Sequence, residues 1–557
     1  MTSKNEMISG KVDLALLDKV DRLFRNDDAG IWIELLQNAR RAAATRIDIT
    51  IQETQADASC LVTVQDDGGG IEDFHQLLTL GASDWPAATK RFEDPAGMGF
   101  FSLCRSEVEV HSGHRFAKIT PSVFLGKSSA EIKISGECVR GTRLRFTRTS
   151  SRFALRESLE RVTKFYPLEV RLEGDVLLRR DFLDSALYRE VIDGIEVGFS
   201  TDPHWGQSYL PNWNFYGSCL REPFDSFTGL LTGEADSFPA TIYARFNVLK
   251  TARVKLQLPD RRAIIQDEAF RDFLSKARAA AYRFFQAQSQ HALPFKNWRE
   301  AKDLGINLPE AAPLLTTWHA SPLDDNVAPL FGDSERHRLT DTSLVLLVDP
   351  ALPNAHTLEG ALHSGAEIDG TLYEWDRNFE GYAWYDRLPR IAGATVLLDD
   401  VPLPESFEPS NTRPEQIDLE LTIEQQGQSE QKLRIPALIH VSLNYELDLR
   451  FVAVRNSPWD NSLNGPFSVG PFLIWATFLA SDDSDADSWN TQMDDYEESV
   501  ERRVHAYFLG PKATLLTILS RAIGWQESQL ATALGVQEIR FRRRNPDQAT
   551  WEIELVE

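Results

Sequence analysis

Apolar positions recur with helical spacing over Leu14–Phe24, and a second helix is predicted to run through Ala44 with Asp27 or Asp28 as its cap. The period then changes. "TRIDITIQ" (Thr45–Gln52) alternates apolar and polar residues, as a half-buried strand does, and "SCLVTVQDDGGGI" supplies a second alternating strand that ends in two acids and three glycines. A helix is predicted over Glu72–Thr79. "GASDWPAATKRFEDPAGMG" (Gly81–Gly99), with Gly81, Pro86 and Pro95 and mixed charges, reads as a loop. "FFSLCRSEVEVHSG" reads as a short helix passing into a strand. "SAEIKISG" and "GTRLRFTR" read as the arms of a hairpin, and "SSRFALRESLERVTKFYP" as a helix. "LEVRLEGDVLLRRDF" predicts another hairpin, "TIYARFNVLK" and "VKLQLPD" predict strands, and Glu268 to about Gln288 predicts a long helix.

Helices and strands in this mixed order fit α+β layers better than a doubly wound parallel sheet. From Pro294 the pattern becomes irregular. "LVLLVDPALP" and "ATVLLDDVPLP" are strand-then-turn segments, "YEWDRNFEGYAWYDRLP" gathers Trp375, Tyr382, Trp384 and Tyr385 for a core or a partner face, and Tyr496–Leu534 is a further helical region. The boundaries expected are 1–180, 181–295 and 296–557, the last with mixed elements in a fold that the pattern does not define. A chain of 557 residues is too long for one core in any case.

Charge narrows the partners. The net charge of −24 repels phosphate backbones, so nucleic acid is disfavoured as a general partner. Eight acids crowd into Ser481–Ser499, and "IRFRRRN" (Ile539–Asn545) is basic. Cys60, Cys104, Cys138 and Cys219 are far apart in sequence and form no C-x-x-C pair. Four reduced, buried thiols in a cytoplasmic protein are expected. "VGPFLIWATFLA" (Val469–Ala480) is too short to span a bilayer, and the opening residues have no secretory apolar region, so no membrane partner is expected.

Four short patterns carry candidate chemistry. Glu34 and Asn38 are four apart on one helix and share a face, where a carboxylate can take a proton from water and an amide oxygen can serve as a hard ligand. Asp66-x-Gly68-x-Gly70 ends a strand. Its acid can accept from an exocyclic amine, and its glycines admit a ligand close to the backbone. Gly97-Met98-Gly99-Phe100 precedes an apolar helix start, where backbone N–H groups can cradle phosphate. Gly141-Thr142 opens a strand, and its hydroxyl can both donate and accept. Each pattern alone also fits an ordinary turn, strand or exposed pair.

The order of the four, from Glu34 to Thr142, resembles the GHKL superfamily of Bergerat-fold ATPases, which includes gyrase, HtpG-type chaperones, sensor histidine kinases and MutL. "ELLQNARRAAATRIDITI" is similar to the MutL form of the first motif. "GMGFFSL" and "RGTRLRF" are closer to the HtpG-type chaperones. The resemblance covers roughly residues 10–180 and implies an α/β sandwich binding ATP and Mg²⁺. It implies Glu34 as general base, Asn38 as the Mg²⁺ ligand and Asp66 as the reader of the adenine amine, supported by Thr142. Gly68 and Gly70 would line the adenine, Gly97, Met98, Gly99 and Phe100 the phosphates, with 81–96 as a lid from which Lys90 could reach them. More loosely, residues 181–295 resemble the transducer or middle domain of these relatives. "LPDRRAII" there makes Arg261 or Arg262 the candidate cation for the γ-phosphate, with Lys250 and Lys255 as alternatives. Arg41 stands where relatives usually carry an acid, and Asp94 where the chaperone pattern has a glycine.

An ATPase coupling lid closure and homodimerisation to an unidentified protein partner is what the resemblance implies. A nucleotide-sensing module with little turnover, or a DNA-repair or defence-system ATPase, are the alternatives.

Overall fold

A computed structural model describes residues 27–54, 59–79, 81, 85, 97, 99–231, 239–249, 252–257, 262–320, 335–363, 366–402 and 417–436, with shorter stretches at 442–443, 449–450 and between 489 and 556. Helix Leu14–Phe24, the interior of the loop 82–96 apart from Trp85, and Val469–Ala480 lie outside the described residues, as does most of Ser481–Ser499 and of Tyr496–Leu534. The chain is α+β and divides into two compact units, residues 1–232 with 239–310, and 233–238 with 311–557.

The first unit is built on two sheets. Helix α1 (Asp28–Arg41) opens it. Asp27 is the cap, its carboxylate accepting from Gly30 N at 2.8 Å, and Ala43 at φ +57° marks the stop just beyond the helix end. β1 (Arg46–Glu53) and β2 (Cys60–Asp66) form an antiparallel pair, and β2 continues onto β4 (Ile132–Arg148), whose far side pairs with β3 (Val108–Ile119). On the other edge β5 (Glu169–Leu172) lies parallel to β1 and turns into β6 (Asp175–Val176), giving the order β3-β4-β2-β1-β5-β6. A parallel β1–β5 pair needs a crossover, and α2 (Arg152–Thr163), capped by Ser151, packs beside α1. Ile31, Trp32, Leu35, Leu36 and Ala39 from α1, and Leu155, Leu159 and Val162 from α2, join Ile47, Ile49, Val62 and Phe146 from the sheet in one core.

Two expected elements differ here. Residues 132–148 form one long strand rather than a hairpin. Gly136 and Gly141, at the facing ends of the two expected arms, sit inside it, and the register to β3 shifts around Gly113. Glu72–Thr79 is a single 3-10 turn, Phe74–Leu78, capped by Asp73.

The second sheet has the order β10-β9-β12-β8-β7, from β7 (Tyr188–Ile192), β8 (Ile195–Ser200), β9 (Trp213–Phe215), β10 (Ser218–Leu220) and β12 (Ala240–Val248), with β11 (Phe227–Leu230) also on β12. Two-residue hairpins with positive φ at both positions join β5 to β6 (Glu173-Gly174), β7 to β8 (Asp193-Gly194) and β9 to β10 (Tyr216-Gly217). Helix α3 (Glu268–Gln286) covers this sheet. Trp213 lies at its centre, 4.4 Å from the Phe246 ring and 5.4 Å from Phe273. Full burial of each such ring contributes about 1.5–3 kcal/mol. The described part of "VKLQLPD", Val254–Gln257, forms a single antiparallel bridge, Leu256–Ile264, rather than a strand. Helix α4 (Phe295–Asp303) appears where the pattern had become irregular.

The second unit carries a mixed sheet. β13 (Val345–Val348) lies parallel to both β14 (Thr371–Glu374) and β15 (Arg390–Leu398), and β16 (Ile417–Glu424) and β17 (Gln431–Pro436) extend it antiparallel. Helix α5 (Ala355–His363) connects β13 to β14. Tyr382 and Tyr385 are buried with Phe379, the core reading of that aromatic run. Half-buried Trp375 has Arg377 and Arg390 over its ring. Cys60 and Cys104 are buried, but Cys138 and Cys219 are exposed, contrary to expectation, because the alternation of their strands turns them outward. No helix among the described residues is long and apolar enough to cross a membrane.

Glu359 on α5 is buried, and burial pushes its carboxyl up to about 7, although Ala320 N–H donates to Oε2 at 3.2 Å. A carboxyl raised in the folded state stabilises where it is protonated. That contribution is whole below the ordinary value of 4.5 and is lost as pH rises through about 7. The melting transition of the second unit should therefore fall between these limits, and Glu359→Gln should flatten that slope in calorimetric scans against pH. An unchanged slope in the variant would exclude Glu359 as its source.

Candidate functional site

Helix α1 carries the first group. Glu34, Asn38 and Arg41 follow i, i+4, i+7 spacing and form one stripe beside the apolar face. The stripe is held in place from several directions. Arg148 on β4 grips Asp28 Oδ1 with Nε at 3.1 Å and Nη2 at 2.8 Å. Trp32 Nε1 donates to Ser158 Oγ at 3.0 Å, and Tyr166 donates its hydroxyl hydrogen to Leu36 O at 2.6 Å.

Gly99 lies directly against this stripe. A Cβ at Gly99 would stand 2.3 Å from Glu34 Oε2 and 3.6 Å from Asn38 Nδ2, so no other residue fits there without moving the carboxylate. Glu34 is 8% exposed. Arg41 Nη1 makes a long contact of 3.5 Å with Asn38 Oδ1. Gly97, at φ +62°, accepts from Gly81 N at 3.1 Å, which ties together the two ends of the 82–96 segment. Gly99–Leu103 is a one-turn 3-10 helix rather than a full helix start. Phe100 is buried against Phe124 at 5.3 Å.

The second group forms at the end of β2. Gly68 N donates to Asp66 Oδ1 at 2.9 Å, and the Thr142 N–H also donates to this carboxylate. Burial pushes the Asp66 carboxyl up, against the lowering effect of these donors. The turn is seated on α1, since Gly69 N donates to Ala42 O at 2.8 Å and a Cβ on Gly68 would meet the same oxygen at 2.7 Å. Asp67 does different work. Although partial burial opposes it, its carboxyl is held down at about 2 by the Thr45 hydroxyl and by the N–H groups of Arg46 and Thr45. Gly141, at φ +71°, passes so close that a Cβ would stand 2.1 Å from Asp66 O.

Two residues of this group were not singled out in the sequence. Ser112 Oγ accepts from Ile71 N at 2.8 Å and donates to Gly141 O at 2.9 Å, bridging the glycine turn to β4. Arg115 donates to Ile71 O at 3.0 Å. The only sequence signal for Ser112 is a small polar residue at an inward position of "VEVHSG".

The structure thus brings Glu34, Asn38 and Gly99 together, and Asp66, Gly68, Gly70 and Thr142 together, with Ala42 linking the groups. Arg262 is elsewhere. It pairs with the cap Asp27 at 3.4 Å, and both side chains are exposed. Seven residues separate that cap from Glu34, about 10 Å along the axis. Lys90, Met98, Arg261, Asp94 and Lys250 lie outside the described residues. Among the described residues no group of three His, Cys, Asp or Glu could hold a metal unaided. A phosphate-bound Mg²⁺ needs no such cage, since one or two protein oxygens suffice. Asn38 could fill that role with its amide oxygen, which here faces Arg41 while Nδ2 lies toward Gly99, so Arg41 is the group that would have to yield.

No protein-family model matches the chain, and no curated protein matches it. Among solved structures, the "N terminal domain of a DNA repair protein" aligns over 48% of this chain and 97% of its own, at 12% identity and a TM-score of 0.28, a similarity too low to carry any argument.

Gly141→Ala should destabilise the first unit by about 1–3 kcal/mol, because it combines a positive φ with the contact to Asp66. Gly136→Ala, on the same strand with nothing within 4 Å, should change stability by about 0.5 kcal/mol or less. Denaturant titration of the two variants measures the difference, and equal losses would show that the approach to Asp66 is unimportant.

Proposed function

We propose that the first unit is an ATP-binding and ATP-hydrolysing module of the GHKL type, dependent on Mg²⁺, and that its nucleotide cycle drives closure of the 81–96 segment and pairing of two copies to act on a protein partner. One observation carries this reading. Glu34 and Asn38 stand on one face of α1 against the Gly99 backbone, and Ala42 at the end of the same helix seats the turn that presents Asp66.

Each residue then has a distinct task. Asp66, fixed by Gly68 and Thr142, offers its remaining acceptor capacity to the adenine amine. Gly68 and Gly70 keep that floor open to a flat ring. Glu34 takes the proton of the attacking water, and its buried position strengthens its field on that water. Asn38 offers its amide oxygen to the metal, and the glycines at 97 and 99 let the loop backbone approach the phosphates. Bound Mg²⁺-ATP would supply the anhydride to be cut and the Lewis acid that polarises it. A cation for the γ-phosphate would come from Lys90, Arg261 or Arg262, the last only after leaving Asp27.

A second reading, a nucleotide sensor with little turnover, is favoured by the Arg41 contact to Asn38 Oδ1, which sets a cation against the intended metal ligand.

Phosphate release and ATP binding, measured together, test both. Glu34→Ala should bind ATP normally and lose turnover by about 10²–10⁴-fold. Asp66→Asn should weaken ATP binding by about 10–100-fold. Normal turnover in Glu34→Ala would remove the base assignment. Wild-type protein that binds ATP without release, and gains release in Arg41→Glu, would establish the sensor reading.

A further inference from the structure

On another side of α1 lies a cavity of about 470 Å³, between the first sheet and the hairpin end of the second. Its floor includes Arg40, 8% exposed. The guanidinium stacks on the Tyr216 ring at 3.7 Å, and its Nε donates to Gln37 Oε1 at 3.0 Å. Gln37, 3% exposed, in turn donates to Tyr216 O at 3.0 Å. Tyr216 is the first residue of the β9–β10 hairpin, at φ +54°, and its hydroxyl is held on Leu249 O at 2.6 Å. The stacked pair is therefore fixed in place from both sides. Asn38 and Arg40 leave the helix about 160° apart, so this cavity is separate from the Glu34 face.

The lining has two characters. Phe165, Leu168, Phe182 and Val248 give an apolar body, with Phe165 and Phe182 edge to face at 5.0 Å. Asn214 and Asn247 bond each other at 2.8 Å and stiffen the wall. The charges are one-sided. Arg179 and Arg180 join Arg40, while the lining carboxylate, Asp181, is already taken by Arg189 at 2.5 Å. Three guanidiniums around one apolar hollow, in a chain of net charge −24, make a local positive field that the overall composition does not suggest. Guanidinium forks suit phosphate or carboxylate oxygens, and a largely apolar pocket with a few placed polar groups suits a small organic ligand.

We propose that this cavity is a binding site for a small organic anion, an apolar ring or short acyl body carrying a phosphate or carboxylate, with its charge between Arg40, Arg179 and Arg180. The site stands independently of the nucleotide reading, since none of its residues belongs to that face.

Calorimetric titration with phenyl phosphate tests it on the full chain. Saturable binding is expected, weakened about tenfold or more in Arg179→Glu/Arg180→Glu and measurably in Arg180→Ala. Both arginines are exposed, so the variants should keep the wild-type melting temperature, which is checked alongside. Inorganic phosphate should bind more weakly than phenyl phosphate. The affinity should be the same in Asp66→Asn and should survive saturating ATP. Absence of saturable binding, equal affinity in the arginine variants, equal binding of inorganic phosphate, or displacement by ATP would each overturn the proposal.

Discussion

Helix α1 can present polar groups inward only because it is anchored everywhere else. Its apolar face is buried on the sheet, its start is clamped by Asp27 and by Arg148 on Asp28, and its middle is fixed by Trp32 on Ser158 and Tyr166 on Leu36 O. Without these restraints, burying Glu34, Gln37 and Arg40 on one helix would cost several kcal/mol with no geometric return. A helix chosen for stability alone would carry leucine or alanine at these positions. The cost is borne by the core beneath and, for Gln37 and Arg40, offset by their contacts to each other and to Tyr216.

The adjacent acids Asp66 and Asp67 divide a similar burden. Asp67 spends both oxygens on Thr45 and Arg46 and is held low, which closes the start of β1 onto the end of β2. Asp66 is pushed up by burial, and its carboxylate is met by Gly68 and Thr142 from one side. Asp67 fixes the turn, and Asp66 sits buried beside it. Ser112 completes the arrangement by holding the glycine turn and Gly141 on a single hydroxyl. The opposite shifts on these adjacent carboxyls arise because burial dominates at Asp66 while hydrogen-bond donors outweigh it at Asp67.

Much of this was legible along the chain. Caps, the change of period at Thr45 and the alternation of β1 and β2 are local, so α1, both strands and the α+β class could be read directly. The proximity of Glu34 to Gly99 was not in the periodicity. It was suggested only by the order of short motifs, and the structure gives it a distance. Local reading failed where one residue type serves two purposes. Gly136 and Gly141 end the two expected hairpin arms but lie inside one seventeen-residue strand. "VKLQLPD" alternates like a strand, yet among its described residues it makes a single bridge, to Ile264. Long-range pairs such as Gln37 with Tyr216 leave no trace in sequence, because neither residue is unusual at its position. The parallel strands of the second unit were missed as a sheet for the same reason: four-residue apolar runs do not say which neighbour they pair with.

Arg40 and Arg41 look like one feature in the sequence and are two in the structure. As neighbours on a helix they diverge by about 100°. Both suit the last turn of α1, where positive charge is favoured by the helix dipole. That shared reason explains their composition but not their directions. Arg40 turns to Gln37, Tyr216 and the cavity at the second sheet, while Arg41 turns to Asn38 and the face shared with Glu34. The close approach of Gly99 to Glu34 fixes one polar face of α1, and the stack of Arg40 on Tyr216 fixes the other, so each arginine is held by its own set of neighbours.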